Sequence, residues 1–474
     1  MRVLLLSMPD TVKFIDNVMK LPTLAIISLA GNLKGHEVKV LDLVLFNPKI
    51  REALERILAE FQPDVVGLSA MTFQFDTLMR IARFIRSRFP SIKIVAGGYH
   101  VTLMARELTA APDPLPFDFI VRGEGEGTFS ELADELQLSE PNLSCIQGLS
   151  YHNEHDWVHN PDRALLAPEQ ISLPDREARM AKGFSWFNMS MDVAETSRGC
   201  PHNCKFCSIT WMYGRIFRRF PINRIIEDLA RIRKQGTKAV FFTDDNITCD
   251  IDHFLRVCKA IVAEGLNDLT YMVQATAAGI ARNPGLVAEM HRANFRYVFV
   301  GFESMIPSAL KEMNKPTSPE INRTAAALLK KHGICIIAGC IVGYPDDTKE
   351  TVAESISLIR ELRPDMIYAQ YLTPYPKTVL RQELLDAGLI VNPDDYRRYD
   401  GFTCNVRTRY MNPGELYTSL GKEVLKTIFD LGFLSSNFFT RNMPGFIAKA
   451  YFKYLLVYFS GLFKGHPARF KLDI

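Results

Sequence analysis

The sequence has few cysteines and almost no net charge. Nine cysteines are spread over 474 residues, too few for a disulfide-stabilised scaffold. The 56 basic and 53 acidic side chains leave a formal net charge of +3, so the chain is not expected to bind nucleic acid. Apolar residues (47%) and charged residues (23%) are close to globular averages, which excludes disordered, collagen-like and coiled-coil chains.

Long hydrophobic runs are also missing. The first apolar stretch ends at Pro9 and is too short for a signal-peptide core, so we expect a cytoplasmic protein with reduced cysteines. The stretch 446–463 carries Lys449 and Lys453 and is shorter than the roughly 20 residues of a spanning helix. Because the two lysines share one helix face, this basic, aromatic segment predicts either a helix lying on the inner membrane surface or a helix packed on the protein.

Short apolar runs alternate with amphipathic stretches through residues 1–140. The apolar runs predict buried strands at Val3–Ser7, Val38–Leu41, Val65–Ser69, Ile92–Ala96 and Phe117–Val121. The amphipathic stretches predict helices near residues 22–34, 50–60, 74–88 and 126–137. This alternation is typical of a parallel sheet with helices on both sides. We therefore expect a doubly wound, flavodoxin-like α/β domain whose ligand lies at the carboxyl ends of the strands.

The rest of the chain divides into three further regions. Residues 141–190 are polar and proline-containing and are expected to be an irregular linker. Residues 191–372 alternate again, with strands predicted at 193–198, 238–243, 270–275, 296–301, 335–342 and 366–371. The helices between them are predicted near 222–235, 251–264, 284–292, 319–332 and 347–361. Six such steps indicate a partial (β/α)6 barrel rather than a closed eight-stranded one, followed by a mainly helical region over 373–474.

Three cysteines form the most informative motif. Cys200, Cys204 and Cys207 have the spacing C-x3-C-x2-C directly after a predicted strand. Three thiolates hold three irons of a [4Fe–4S] cluster, whereas a fully protein-bound cluster uses four. Since Cys145 and Cys249 are each more than 40 residues away in sequence, we expect no further thiol near the motif and one iron left open for a small molecule. A zinc site, which usually takes four protein ligands, and chance spacing are the alternatives.

This motif, with Phe206 as the aromatic residue before the last cysteine, resembles that of the radical S-adenosylmethionine (radical SAM) superfamily. The resemblance implies a partial (β/α)6 barrel, and S-adenosylmethionine bound to the open iron as its ligand. One electron, from a donor such as flavodoxin or ferredoxin, then cleaves the sulfonium. The resulting 5′-deoxyadenosyl radical removes hydrogen from an unactivated carbon.

The resemblance extends to the carboxyl ends of later strands, where the sequences T-D-D-N, G-F-E-S and G-C-I-V-G occur. The family places S-adenosylmethionine contacts at these points. The implied contacts are Asp244, Asp245 and Asn246 at the amino end of the molecule, Gln274 and Thr276 on the third strand, Glu303 near the ribose, and Ile341 along the adenine. Acidic and amide side chains at strand ends also occur as helix caps, which is the alternative for the first three.

Residues 1–140 resemble the cobalamin-binding domain that precedes the barrel in one radical SAM subgroup. Glycines at a strand end let the backbone approach a flat ligand, and hydroxyls there can bind corrin amides or the nucleotide tail. The candidate contacts are Ser69, Thr72, Gly97, Gly98, His100, Gly123 and Glu124. A flavodoxin-like domain without a cofactor is the alternative. In many cobalamin-binding domains a histidine in the loop after the first strand binds cobalt from below. The loop from Pro9 to Leu21 contains no histidine, so we expect the lower face of cobalt to be bare or to hold water.

Together these features predict a cobalamin-dependent radical SAM methyltransferase. Its substrate is expected to be hydrophobic, an isoprenoid or hopanoid lipid or a tetrapyrrole, with the methyl group added to an unactivated carbon. The alternative is a radical cyclase, or another rearrangement of carbon–carbon or carbon–oxygen bonds, that uses the same cofactors. Side chains around the last predicted strand either contact the substrate or pack the barrel: Tyr368, Gln370, Tyr371, Thr373 and Tyr375.

Overall fold

The computed structural model describes residues 1–10, 19–186 and 189–437, together with four single positions further on, Phe439, Gly445, Phe452 and Leu455. Its strands are β1 (Arg2–Ser7), β2 (Met19–Lys20), β3 (Glu37–Asp42), β4 (Val65–Ser69), β5 (Lys93–Gly97), β6 (Phe119–Val121), β7 (Leu149–His152), β8 (Trp157–His159), β9 (Ser185–Trp186), β10 (Met189–Ala194), β11 (Ser197–Arg198), β12 (Arg218–Arg219), β13 (Ala239–Phe242), β14 (Thr270–Thr276), β15 (Phe295–Glu303), β16 (Cys335–Val342) and β17 (Met366–Tyr371). Its α-helices are α1 (Leu24–Asn32), α2 (Ile50–Phe61), α3 (Phe75–Arg88), α4 (Tyr99–Ala110), α5 (Gly125–Glu135), α6 (Ile209–Tyr213), α7 (Ile222–Lys234), α8 (Ile251–Ala263), α9 (Ala277–Ala281), α10 (Pro284–Arg292), α11 (Pro307–Glu312), α12 (Pro319–Lys331), α13 (Lys349–Glu361), α14 (Val379–Asp386), α15 (Pro413–Ile428) and α16 (Leu431–Ser436).

The first sheet has the order β3-β1-β4-β5-β6-β7-β8, and its first five strands are parallel. The apolar run of β1 suits a strand inside the sheet, between β3 and β4, because its side chains are buried on both faces. Leu4 and Leu6 pack with helices α2, α3 and α4, whereas Val3 and Leu5 pack with α1 and α5. The predicted doubly wound α/β domain is therefore confirmed.

Two features of this domain were not predicted. Helix α4 follows Gly98 directly, and its apolar stripe is short, since Val101 and Ala105 are its buried apolar residues. Strands β7 and β8 come from the segment expected to be irregular, and they extend the sheet in the antiparallel direction. The same segment then reaches the barrel, where Arg176 donates hydrogen bonds to Asp192 and Asp228.

The second sheet has the order β17-β16-β15-β14-β13-β10-β9-β2. Its parallel strands β10 and β13–β17, with helices outside them, confirm the partial (β/α)6 barrel. Two short antiparallel strands widen it: β9 pairs with β10, and β2, from the N-terminal part of the chain, pairs with β9. The N-terminal part of the chain therefore contributes β2 as an edge strand of the barrel sheet.

The first barrel strand ends four residues earlier than predicted. The sequence places a strand at 193–198, but β10 ends at Ala194 and Ser197–Arg198 pair with β12 instead. The chain turns because Thr196 donates from its backbone N–H and its hydroxyl to Asp244, at 3.0 and 2.6 Å. The cysteine loop consequently follows a two-stranded ribbon rather than a barrel strand.

The region after β17 is mainly helical, as predicted, with α15 packed against α13. No helix in the described part of the chain has both the length and the hydrophobicity needed to cross a bilayer. The predicted surface helix at 446–463 lies almost wholly outside the described residues.

Candidate active site

The cysteine loop is held from both ends. Gly199 has φ +89°, and a Cβ there would lie 2.5 Å from the carbonyl oxygen of Ile216, so only glycine fits. At the other end, the backbone N–H of Lys205 donates to the carbonyl oxygen of Met313 at 3.0 Å. Asn314 Nδ2 donates to the carbonyl oxygen of Asn203 at 2.8 Å. The loop is thus anchored to the segment after α11.

The three thiols suit a metal centre. Burial raises the pKa of Cys207 to about 12 and also raises the pKa of Cys204, so neither thiol ionises at neutral pH unless it binds a metal ion. A buried cation, Lys315, lies among them, and its Nζ donates to Glu303 Oε1 at 2.6 Å. Iron that replaces the thiol protons would be bound by these sulfurs as thiolates. The residues therefore fit the predicted [4Fe–4S] cluster. Nothing in the sequence motifs indicated Lys315.

The acidic residues after β13 have separate roles. Asp244 is fully buried against Thr196 and Ser197 and lines neither of the two cavities described below. Its burial raises its pKa to about 7. Asp245 accepts a hydrogen bond from the Gly199 N–H at 2.8 Å and faces open space. Asn246 caps a short turn by accepting from the Thr248 N–H at 3.2 Å. Asn246 is thus a capping residue, whereas Asp245 is the carboxylate available to a ligand.

The expectation that no further thiol lies near the motif was wrong. Cys249 Sγ is 3.9 Å from Cys200 Sγ. The turn after β13 brings it there, because parallel neighbouring strands end at the same edge of the sheet. Separation along the chain therefore did not indicate separation in space.

A cavity of about 780 Å³ fills the mouth of the barrel beside the cysteine loop. Of the predicted contacts, the cavity is lined by Thr72, Phe206, Cys207, Asp245, Gln274, Glu303 and Ile341. Thr276 does not line it and instead caps α9 by accepting from the Gly279 N–H at 3.2 Å. The five residues predicted around the last strand all line the cavity, with apolar residues that were not predicted: Met19, Leu21, Met71, Phe73, Trp186, Phe241, Met272, Phe299, Ile337 and Met366.

A second cavity, of about 330 Å³, lies at the carboxyl ends of β1, β4, β5 and β6, between the two domains. It is lined by five of the predicted contacts: Ser69, Gly97, Gly98, Gly123 and Glu124. Its inner part is apolar and is formed by Leu5, Ile26, Leu29, Val95 and Phe129. A polar mouth above an apolar slot suits a flat macrocycle with an aromatic nucleotide tail.

Gly98 makes this cradle possible. Its φ is +90°, and a Cβ there would lie 2.7 Å from the backbone N and O of Ala70. Because any side chain would collide with the neighbouring strand end, the backbone stays bare at the cavity wall. This observation fits the predicted cobalamin site.

Two candidate cobalamin contacts lie elsewhere. Thr72 faces the barrel cavity. His100 is fully buried between Phe75 and Tyr396, with ring centroids 4.4 and 4.7 Å away, and it does not line the cavity. Burial lowers its pKa to about 4, so it is a neutral packing residue. The prediction that His100 lines the site is not supported, because α4 turns its side chain away from the strand ends.

A buried ion network joins the domains beside this cavity and was not predicted. Arg198, next to the cysteine loop, donates to Glu124 Oε1 at 2.9 Å and to Glu126 Oε1 at 2.8 Å in the first domain. It also donates to Glu195 Oε2 at 2.7 Å. Arg218 donates to the same Glu124 at 3.0 Å. The second cavity therefore has a charged wall that is shared by both domains.

The two cavities are adjacent. Met71, Tyr99, Thr243 and Asp245 line both of them. A ligand in the first domain and a ligand in the barrel would therefore face each other across this shared wall.

Comparisons with known proteins agree with this architecture. Residues 17–133 match the B12 binding domain family and residues 194–359 match the Radical SAM superfamily. The chain is 29% identical, over 460 residues, to an uncharacterised methyltransferase of Pyrococcus horikoshii, covering 96% of this chain and 98% of the relative. It is 27% identical to the anaerobic magnesium-protoporphyrin IX monomethyl ester cyclase of Rubrivivax gelatinosus, covering 86% and 74%. It is 26% identical to the hopanoid C-3 methylase of Methylococcus capsulatus, covering 87% and 78%.

The fold is also that of a solved structure. The radical S-adenosylmethionine methyltransferase TsrM from Kitasatospora setae, solved with cobalamin and a [4Fe–4S] cluster, superposes with a TM-score of 0.71 at 20% identity, covering 90% of each chain. Fold and site define an enzyme with a radical SAM barrel. The chain belongs to the cobalamin-dependent radical SAM enzymes, whose cofactors are cobalamin, a [4Fe–4S] cluster and S-adenosylmethionine.

Proposed function

We propose that this enzyme is a C-methyltransferase that acts on an unactivated carbon of a neutral, hydrophobic molecule. The shared wall of the two cavities is the observation that carries this proposal. When bound, the cluster with S-adenosylmethionine supplies a carbon-centred radical, and cobalamin supplies a methyl group. The two sites lie on either side of one shared wall. The Pyrococcus horikoshii relative is named a methyltransferase and the Methylococcus capsulatus relative a methylase.

Residues of the barrel cavity suit both the binding of S-adenosylmethionine and the exclusion of water. We infer that Asp245 binds the ammonium group of S-adenosylmethionine and that Glu303 binds its ribose hydroxyls; their place in the cavity lining supports this assignment. The hydrogen bond from Lys315 holds Glu303 in place. The aromatic and methionine side chains above them exclude water, which protects a reactive radical. Tyr99 and Met71, in the shared wall, separate the two sites in the absence of ligands.

The lining of the barrel cavity favours a neutral lipid over a tetrapyrrole acid. Among the described residues that line it, the charged ones are the carboxylates Asp245 and Glu303, with no lysine or arginine. An anionic substrate would be desolvated there without a cation to pair with. Gln370, Thr373 and Tyr375 provide polar groups that can form hydrogen bonds with a single hydroxyl group of a substrate. We therefore propose an isoprenoid or hopanoid lipid as the substrate.

Methyl-labelled S-adenosylmethionine tests the reaction. The anaerobically reconstituted holoenzyme is incubated with trideuteriomethyl S-adenosylmethionine, a reductant and either a hopanoid or magnesium-protoporphyrin monomethyl ester. We expect a hopanoid product that carries the labelled methyl group. A changed product without label would contradict methyl transfer and favour the cyclase alternative, which the Rubrivivax gelatinosus relative supports. A labelled porphyrin product would contradict the substrate assignment.

Asp245→Asn is expected to weaken S-adenosylmethionine binding about 10- to 100-fold, the loss that corresponds to about 1.5–3 kcal/mol for a charged hydrogen bond. The amide keeps the size of the side chain and can still accept from Gly199, but it carries no charge to pair with an ammonium. Equilibrium dialysis on the reconstituted variant measures the affinity. Iron content is the control and should equal that of the wild type; an unchanged affinity would remove Asp245 from the site.

The basic C-terminal segment is proposed to bind a membrane surface. The double variant Lys449→Glu/Lys453→Glu should lower binding to anionic vesicles more than tenfold, because each lysine near such a surface contributes about 1 kcal/mol. Cosedimentation with phosphatidylglycerol vesicles measures the effect, and neutral vesicles are the control. Equal sedimentation of the wild type and the variant would favour a helix packed on the protein.

A further inference from the structure

We propose that Cys200, His202 and Cys249 form a binding site for one thiophilic divalent ion, Zn²⁺ or Fe²⁺, that is used when the cluster is absent. One ligand atom from each residue lies within 4.8 Å of the other two. All three side chains are half-buried. Two sulfurs and an imidazole nitrogen are a usual donor set for such an ion, with water in the fourth position.

The distance between the sulfurs favours a single ion. Two thiolates that bind one tetrahedral zinc at about 2.3 Å lie about 3.8 Å apart. The observed separation of Cys200 Sγ and Cys249 Sγ is 3.9 Å. A disulfide would need about 2.05 Å, so the two sulfurs lie at the spacing of shared ligands rather than at that of a bond.

Both arms of this site are fixed by the backbone. Cys249 ends a turn in which its N–H donates to the carbonyl oxygen of Asn246 at 3.2 Å. Asp250, the next residue, caps α8 by accepting from the His253 N–H at 2.9 Å. On the other arm, the backbone N–H of Gly199, the residue directly before Cys200, donates to Asp245. The two cysteines are thus preorganised and do not have to be brought together by the ion.

The proposed cofactor chemistry does not use this site. The cluster needs Cys200, Cys204 and Cys207, whereas Cys249 and His202 lie outside the motif. Because both sites require the Cys200 thiolate, the single ion and the completed cluster exclude each other. An ion bound here must therefore release Cys200 before the cluster forms. This inference does not depend on the substrate or on methyl transfer.

Cobalt(II) titration of the cluster-free, full-length protein under anaerobic conditions tests the proposal. We expect one Co²⁺ per chain, with thiolate-to-cobalt charge-transfer bands and tetrahedral d–d bands, displaced by Zn²⁺. Cys249→Ala and His202→Ala should each weaken binding more than about tenfold, and Cys200→Ala should abolish it. Cys207→Ala is the matched control: it should keep cobalt binding and lose the cluster, whereas Cys249→Ala should weaken cobalt binding and keep the cluster.

Two results would overturn the site. If Cys249→Ala binds cobalt as tightly as the wild type, the ion is bound by other residues. If Cys207→Ala weakens binding as much as Cys249→Ala, the motif cysteines alone form the cobalt site. Cys249→Ser, compared with the wild type by circular dichroism and thermal unfolding, separates ligand loss from misfolding. In a positive outcome, bound Zn²⁺ also slows cluster reconstitution in the wild type and not in Cys249→Ala.

Discussion

Cys207→Ala is expected to abolish cleavage of S-adenosylmethionine, down to the background without enzyme. The loop supplies three thiols to the cluster, and the described residues place no further cysteine beside Cys204 and Cys207. Loss of one ligand leaves two irons without protein ligands, and the cluster does not persist. Iron and sulfide analysis, the electron paramagnetic resonance signal of the reduced protein and chromatography of 5′-deoxyadenosine measure the effect.

Cys249→Ala is the matched control for this experiment. It removes a thiol 3.9 Å from Cys200 but leaves the motif intact, so cluster content and 5′-deoxyadenosine formation should stay close to wild type. A Cys207→Ala protein that still forms 5′-deoxyadenosine would show that the radical chemistry assigned to this loop is wrong. Loss of the cluster in Cys249→Ala would instead make Cys249 a ligand of the assembled cluster.

Arg198→Gln is expected to destabilise the protein by about 3–5 kcal/mol, the usual cost of removing one partner of a buried ion pair. Arg198 donates to Glu124, Glu126 and Glu195, and all three carboxylates are nearly inaccessible to water. Glutamine neutralises none of them. Because the network joins the two domains, the variant should also bind cobalamin more weakly. Urea unfolding followed by circular dichroism, and cobalamin titration, measure the two effects.

The pH dependence identifies the cause of this instability. Burial alone raises the pKa of Glu126, but Arg198 and Ser28 more than offset this and hold the pKa below its ordinary value. In the wild type this carboxylate thus contributes stability above its ordinary pKa and loses it as the pH falls. In the variant the Ser28 hydrogen bond remains but the Arg198 charge is gone, so burial raises the pKa of Glu126. Protonation in mild acid then removes the unpaired buried charge. The stability difference should therefore be largest near pH 8 and smaller near pH 5.

Arg323→Gln is the control for charge removal in general. Arg323 is exposed on α12, and its nearest carboxylate, that of Glu320, is 3.9 Å away and also exposed. Its loss should change stability by less than about 0.5 kcal/mol at any pH tested. An Arg198→Gln protein as stable as Arg323→Gln would mean that the domain contact does not depend on the ion network.

The fold was largely accessible from the sequence because its signals are local. The buried runs of β1 and β4 and the amphipathic pattern of α7 need only a few consecutive residues to be recognised. Errors occurred where a distant group competed with local preference. Asp244 draws Thr196 out of the first barrel strand, and β7 and β8 form because the edge of β6 offers hydrogen-bonding partners.

The cysteine motif and the glycine-rich strand ends could be recognised from the sequence. The spacing of metal ligands and the absence of a side chain at a glycine are both properties of a short segment. Which side chains meet across the site was decided by the tertiary structure. Cys249 reaches Cys200, Lys315 reaches Glu303, and Arg198 reaches Glu124. These contacts form because parallel strands end on one side of each sheet and the strand ends of the two domains face each other. Such contacts depend on strand order and turn geometry, which no local pattern of residues encodes.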